Sequence, residues 1–125
     1  MATANDITIT AQDGILLTRM ECAHMEDQHA QALVVQLMAA VEQTPTLPIV
    51  LDLSQVTVMP SMSIGVLVTL WKTFQGRRQR FILADVQPQI RQTLTLCRLD
   101  KLFELCDSVE EAKLRLRPGP GDGSN

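Results

Sequence analysis

Tyrosine is absent from this chain of 125 residues, which also has only three phenylalanines and one tryptophan. Single-stranded nucleic acids are held largely by stacking on aromatic rings, so that partner class is disfavoured. A net charge of −3 creates no global field to recruit DNA, RNA or an acidic membrane. Histidine is equally scarce: His24 and His29 are the only two. No apolar run approaches membrane-spanning length, and the first ten residues have neither a basic n-region nor an apolar stretch. No membrane insertion and a cytoplasmic location are therefore expected. The cysteines Cys22, Cys97 and Cys106 are odd in number and lack close pairing motifs, as expected of thiols in a reducing compartment. Three of the six glycines fall in the last eight residues and the others are scattered, which excludes a phosphate-cradling P-loop.

What the chain does contain is 46% hydrophobic and 20% charged residues, the balance of one globular domain whose core is built from Leu, Val, Ile, Met and Ala. Cys97, flanked by leucines, is expected to be a small core residue. Charge is unevenly placed. Residues 71–98 carry Lys72, Arg77, Arg78, Arg80, Arg91 and Arg98 against Asp85 alone, while residues 1–70 have seven acidic residues against only Arg19. A solvated loop and strand rim, or a surface for an acidic protein partner, would each account for the basic excess.

Ile7, Thr8, Ile9 and Thr10 alternate apolar and polar, and a second apolar run over residues 15–20 follows Asp13-Gly14, the strongest short-range hairpin signal. From Asp27 the period changes. Ala30, Leu33, Val34, Leu37, Met38 and Val41 mark one face of an amphipathic helix. Pro45 and Pro48 impose a loop, and Ile49-Val50-Leu51-Asp52-Leu53 is the continuous apolar run of a strand buried on both faces of a parallel sheet. A helix from about Ser63 to Phe74 follows, with Ile64, Leu67, Val68 and Trp71 on one side and Val66 and Leu70 on another. Such a helix is either deeply buried or keeps an apolar face for a partner. Another strand spans residues 80–84, and Pro88 opens a helix with Ile90, Leu94 and Cys97 facing inward. Ser108 and Glu111 fit a capping box for the last helix. The expected architecture is α/β: a mixed sheet with an N-terminal hairpin and about four helices packed mostly on one face. Residues 1–117 form the domain, and the tail 118–125 is expected to be disordered.

Loops at the carboxyl ends of the strands are where ligands and partners dock in an open α/β sheet, which directs attention to the turn after Asp52. Ser61-Met62-Ser63-Ile64-Gly65 is a degenerate nucleophile elbow, but a serine hydroxyl needs a base, and no histidine occurs after residue 29; serine hydrolase activity is disfavoured. Cys22, His24 and His29 form a poor metal set, since histidines five apart do not share a helix face and no fourth ligand is visible. His24 and His29 are expected to be surface residues near a helix start, and neither metal nor cofactor is expected.

The segment Ile49-Val50-Leu51-Asp52-Leu53-Ser54, then Met59-Pro60-Ser61-Met62-Ser63-Ile64-Gly65, resembles the central signature of STAS domains, the family of bacterial anti-sigma-factor antagonists and sulfate-transporter tails. Its typical form is an apolar strand, Asp-Leu-Ser, a few residues, then Asp-Ser-Ser-Gly-Leu-Gly. Residues 98–105 and 108–112 are similar to the family's C-terminal pattern. The resemblance implies partner switching in transcription regulation. An unphosphorylated antagonist binds an anti-sigma factor that is also a serine kinase, and phosphorylation of a serine at the second-helix start ends the interaction. On this sequence the acceptor falls on Ser61, the next serine on Met62, the glycines on Ser63 and Gly65, and the motif's aspartate on Pro60. A helix N-cap role for Ser61 stands beside the phosphoacceptor one. The implied reading is a non-enzymatic regulator that binds its partner through Asp52, Pro60, Ser61, Met62, Ser63, Gly65, Thr69 and Lys72. The alternative is a non-phosphorylated scaffold or ligand-binding module of a larger sensory complex.

Overall fold

The computed structural model describes residues 6–117; the tail expected to be disordered lies outside them. β1 (Ile7–Gln12) and β2 (Ile15–Met20) form the antiparallel hairpin. Asp13 and Gly14 connect them at φ of 52° and 78°, the left-handed pair of a two-residue turn whose twist matches the strands. β2 then pairs in parallel with β3 (Ile49–Asp52), β3 with β4 (Phe81–Ala84), and β4 with β5 (Glu104–Cys106). Spatial order is the same as chain order.

That order decides the layering. Crossovers between parallel neighbours are right-handed, and when each step advances in the same direction every connecting helix lands on the same face. α1 (Asp27–Gln43), α2 (Ser61–Gly76) and α3 (Pro88–Leu96) accordingly bring Leu33, Leu37, Leu67, Phe74, Ile90 and Leu94 into one core with Leu16, Ile49, Leu51 and Leu83 of the sheet. α4 (Val109–Leu116) follows the last strand and is bound by no crossover. It covers the other face, where Ala112 packs with Ile15, Leu17, Val50, Ile82 and Cys106. Alternation along β3 serves both cores, Ile49 and Leu51 one and Val50 the other, which is why this strand is apolar throughout. α4 starts as its sequence indicates. The Ser108 hydroxyl accepts from the Glu111 N–H at 3.0 Å, while the Glu111 carboxylate reaches one residue further back, to the Asp107 N–H, at 2.6 Å.

Several local expectations are corrected. α2 begins at Ser61, two residues earlier than expected, because Pro60 in an extended conformation is its N-cap. Its buried stripe is Ser63, Ile64, Leu67, Leu70 and Phe74, while Val66, Val68 and Trp71 are only partly buried; an apolar sequence on nearly every side concealed which arc faced the sheet. Cys97 is exposed and the buried thiol is Cys106. α3 ends at Leu96, and Arg98 at φ 62° turns the chain before Cys97 can reach the core. His29 is half-buried rather than superficial. Its Nδ1 accepts the Glu26 N–H at 3.0 Å and its Nε2 lies 3.0 Å from Asp6, so Nε2 carries the donor proton.

The helices run antiparallel to the parallel strands, so their C-termini gather at the amino edge of the sheet. Arg77 and Arg78 follow α2, Arg98 follows α3, and Lys113 and Arg115 lie in the last turn of α4. Cations at these ends complement the partial negative charge of the helix dipole, which is a physical account of much of the basic excess over residues 71–98.

Leu51, fully buried in β3, should lose about 2–5 kcal/mol of stability as Leu51→Ala. Val35→Ala, at a site 69% exposed, should stay within about 0.5 kcal/mol; urea unfolding of the two variants checks the contrast. Thiol labelling gives a second check. Burial, with the Asp6 and Glu26 carboxylates adding to it, pushes the Cys22 thiol up to about 11, and burial raises Cys106 as well. A raised thiol pKa means less thiolate at a given pH. At mildly alkaline pH one thiol should react rapidly, and Cys97→Ser should abolish that phase.

Candidate functional site

Sequential strand order leaves no point at which the sheet reverses direction, so the carboxyl edge lacks the crevice in which doubly wound folds bind nucleotides. The edge carries an anchored turn instead. β3 ends at Asp52, which is 5% exposed. Its carboxylate accepts from Arg19 Nε on the neighbouring strand at 2.9 Å and from the Ser54 N–H at 2.9 Å. The Leu53 N–H bonds the Ala84 carbonyl at 3.0 Å, and the Gln87 amide donates to the Ser54 carbonyl. Further on, the N–H groups of Thr57 and Val58 both reach the Ala23 carbonyl, at 2.8 and 3.0 Å, and the Met25 N–H returns to the Val58 carbonyl at 2.9 Å. The chain is thus tied to β2, to the loop after β4 and to the segment before α1 before it enters α2.

The two serines of the turn have opposite environments. Ser63 is fully buried and its hydroxyl donates to the Met25 carbonyl. Ser61 is exposed at the first helical position. The N-cap role expected for it falls to Pro60, which has no side-chain acceptor to offer. α2 therefore begins with no side-chain cap and no acidic residue in its first turn. Ile64 is the first residue whose N–H finds an intrahelical acceptor, the Pro60 carbonyl at 3.1 Å. The N–H groups of the first turn have no side-chain acceptor, and together with the positive end of the helix dipole they favour a negative charge at this helix start.

Beyond Ser61, the outward face of α2 presents Met62, 58% exposed, then Gly65, Thr69 and Lys72, at spacings that align them in one stripe. A Cβ added to Gly65 would meet nothing within 4 Å. Pro60, Ser61, Met62, Gly65, Thr69 and Lys72 therefore share one exposed surface, whereas Asp52 and Ser63 are turned inward and hold the turn in place. Arg19, Ala23, Met25 and Gln87 complete that support and were not legible as part of it. Arg19 alone had a signal, as the single cation of residues 1–70 with a strand-end carboxylate to meet. Among the described residues, no group of three or more His, Cys, Asp and Glu is placed to hold a metal ion, and no helix is long and apolar enough to cross a membrane.

Comparison with protein families matches the STAS domain over residues 6–112. Among similar solved structures is an anti-sigma-factor antagonist (STAS) domain protein from Planctomyces limnophilus, 21% identical, covering 88% of this chain and 97% of that chain with a TM-score of 0.78. An anti-sigma factor antagonist from Mycobacterium paratuberculosis is 24% identical over 89% of this chain and 92% of that one, with a TM-score of 0.76. The Bacillus cell fate determinant SpoIIAA in its phosphorylated form is 16% identical over 89% and 99%, with a TM-score of 0.70. At these identities the likeness establishes the fold and leaves the chemistry of the turn to its own residues.

The contrast between the serines is measurable without any partner. Ser63→Ala strips the Met25 carbonyl of a buried donor and should cost about 1–3 kcal/mol of unfolding free energy. Ser61→Ala removes an exposed hydroxyl that does not cap the helix and should stay within about 0.5 kcal/mol. Equal effects in denaturant titrations would contradict this assignment.

Proposed function

The chain belongs to the STAS domain family, and we propose that it is a non-enzymatic regulator of the anti-sigma-factor-antagonist kind, binding a protein partner through the Ser61 turn and the outer stripe of α2. The partner is an anti-sigma factor with serine-kinase activity or a related regulatory protein, and a phosphate on Ser61 ends the interaction. The observation that carries this reading is the exposed Ser61 hydroxyl at an uncapped helix start, beside a Ser63 that is locked inside. Gly65 supports it too. A glycine within a helix costs roughly 0.5–1 kcal/mol relative to alanine, and nothing inside the fold requires one here, so close approach of another molecule is its role.

Phosphorylation adds about −1.5 to −2 charges at neutral pH. At the first turn of α2 that charge is stabilised by up to roughly 1 kcal/mol, so the domain stays folded. At an interface the same group must be desolvated or meet a like charge, which costs several kcal/mol and lowers affinity by about a hundredfold or more. Pro60, standing where the family motif has a carboxylate, favours a second reading: a scaffold of a larger sensory complex that uses the same surface without phosphorylation.

Incubation with the cognate kinase and ATP, followed by mass spectrometry, distinguishes the two. Phosphate should appear on Ser61 of the wild type and be absent from Ser61→Ala. Phosphate on Ser63, or on neither serine with an active kinase, would overturn the switch and leave the scaffold. The interface has its own test. Gly65→Ala should raise stability by about 0.5–1 kcal/mol and yet weaken partner binding, and Thr69→Glu and Lys72→Glu should weaken binding with the fold intact. Unchanged affinity in all three variants would move the interface elsewhere.

A further inference from the structure

At the amino edge of the sheet, opposite the Ser61 turn, a cleft of about 520 Å³ opens between the end of α2 and the starts of β4 and β5. That volume falls within the range of small-molecule sites, about 300–1,000 Å³. Trp71, Phe81 and Leu102 form its apolar wall. Trp71 is the sole tryptophan of an aromatic-poor chain and packs against the core while remaining partly exposed, so an edge of its ring is accessible at this place.

The polar side of the cleft has an unbalanced charge. Arg80 grips Glu104 through Nε and Nη2 at 3.1 and 2.6 Å, and Arg115 adds a third contact to that carboxylate at 3.4 Å. Arg78, which also lines the cleft, is in no ion pair among the described residues. It is held in the left-handed region at φ 58°, a conformation that strains a side-chain-bearing residue and persists where the surroundings over-determine it. The next residue supplies that constraint. The Gln79 N–H bonds the Phe74 carbonyl at 2.9 Å and its side-chain amide bonds the Leu47 carbonyl at 2.7 Å, while its Oε1 is buried without a partner.

We propose that this cleft binds a small amphipathic anion with a flat apolar body and one carboxylate or sulfonate, the body lying on Trp71, Phe81 and Leu102 and the charge meeting Arg78. A single anionic group fits, because a second would approach Glu104. The cleft shares no residue with the Ser61 surface, so its test is independent of the partner-binding reading.

Trp71 is its own reporter, since all tryptophan emission comes from the cleft wall. Titration of the full chain with 1-anilinonaphthalene-8-sulfonate, whose naphthalene ring is a flat apolar body bearing one sulfonate, should quench that emission saturably at one site. Arg78→Glu should weaken binding by about tenfold or more, and Arg78→Gly, which suits the left-handed backbone, should weaken it with the circular dichroism of the fold unchanged. Arg91→Glu, the same charge change on α3 away from the cleft, should leave the affinity as it was. N-phenyl-1-naphthylamine, the same body without the sulfonate, should bind more weakly. No saturable quenching, equal weakening by the Arg78 and Arg91 variants, or equal affinity for the uncharged probe would each overturn the proposal.

Discussion

The constraint on which the structure depends is the right-handed crossover between parallel strands laid down in chain order. From it follow the single face occupied by α1, α2 and α3, the need for a strand β3 apolar on both sides, and the exposed second face that α4 must cover. It also sorts the molecule into two edges. Every helix begins at the carboxyl edge and ends at the amino edge, so backbone N–H groups collect at one and carbonyl groups, with their complementary arginines, at the other.

Function in this fold has to be built from such edges, because an order without reversal provides no crevice between diverging loops. The carboxyl edge is therefore made into a rigid projection. Asp52, Ser54, Thr57, Val58 and Ser63 are all hydrogen-bonded to neighbouring segments, and the entropy of ordering the turn is met within the fold rather than on association. α2 then has two distinct sides. Ile64, Leu67, Leu70 and Phe74 hold it to the sheet, and the stripe of Met62, Gly65, Thr69 and Lys72 is left exposed. At its far end the same helix contributes Trp71 to the opposite edge.

The hairpin at Asp13-Gly14, the period of α1, the apolar run of β3 and the Ser108 start of α4 were legible because each is set by residues adjacent in the chain. Such signals report local backbone preference and which residues avoid water. The family motif was legible for a related reason, since a strand, a short turn and a helix start occupy one continuous stretch. The fate of Cys97 was not, because leucine neighbours describe its sequence surroundings and the end of α3 at Leu96 depends on where the chain must turn toward β5.

The sequence by itself determined the elements, their alternation and hence a mixed sheet with helices mostly on one side, since these follow from periodicity and chirality. It also placed Ser61 and Ser63 together at the start of one helix. Only the tertiary structure decided between them. A helix apolar on nearly all sides can be rotated to bury either serine, and the outcome depended on the Met25 carbonyl, brought from a distant segment, accepting the hydroxyl of Ser63. The cleft beside Trp71 has the same origin: its walls come from α2, β4 and the approach to β5, and no local pattern encodes a gap between elements that meet only when the sheet is assembled.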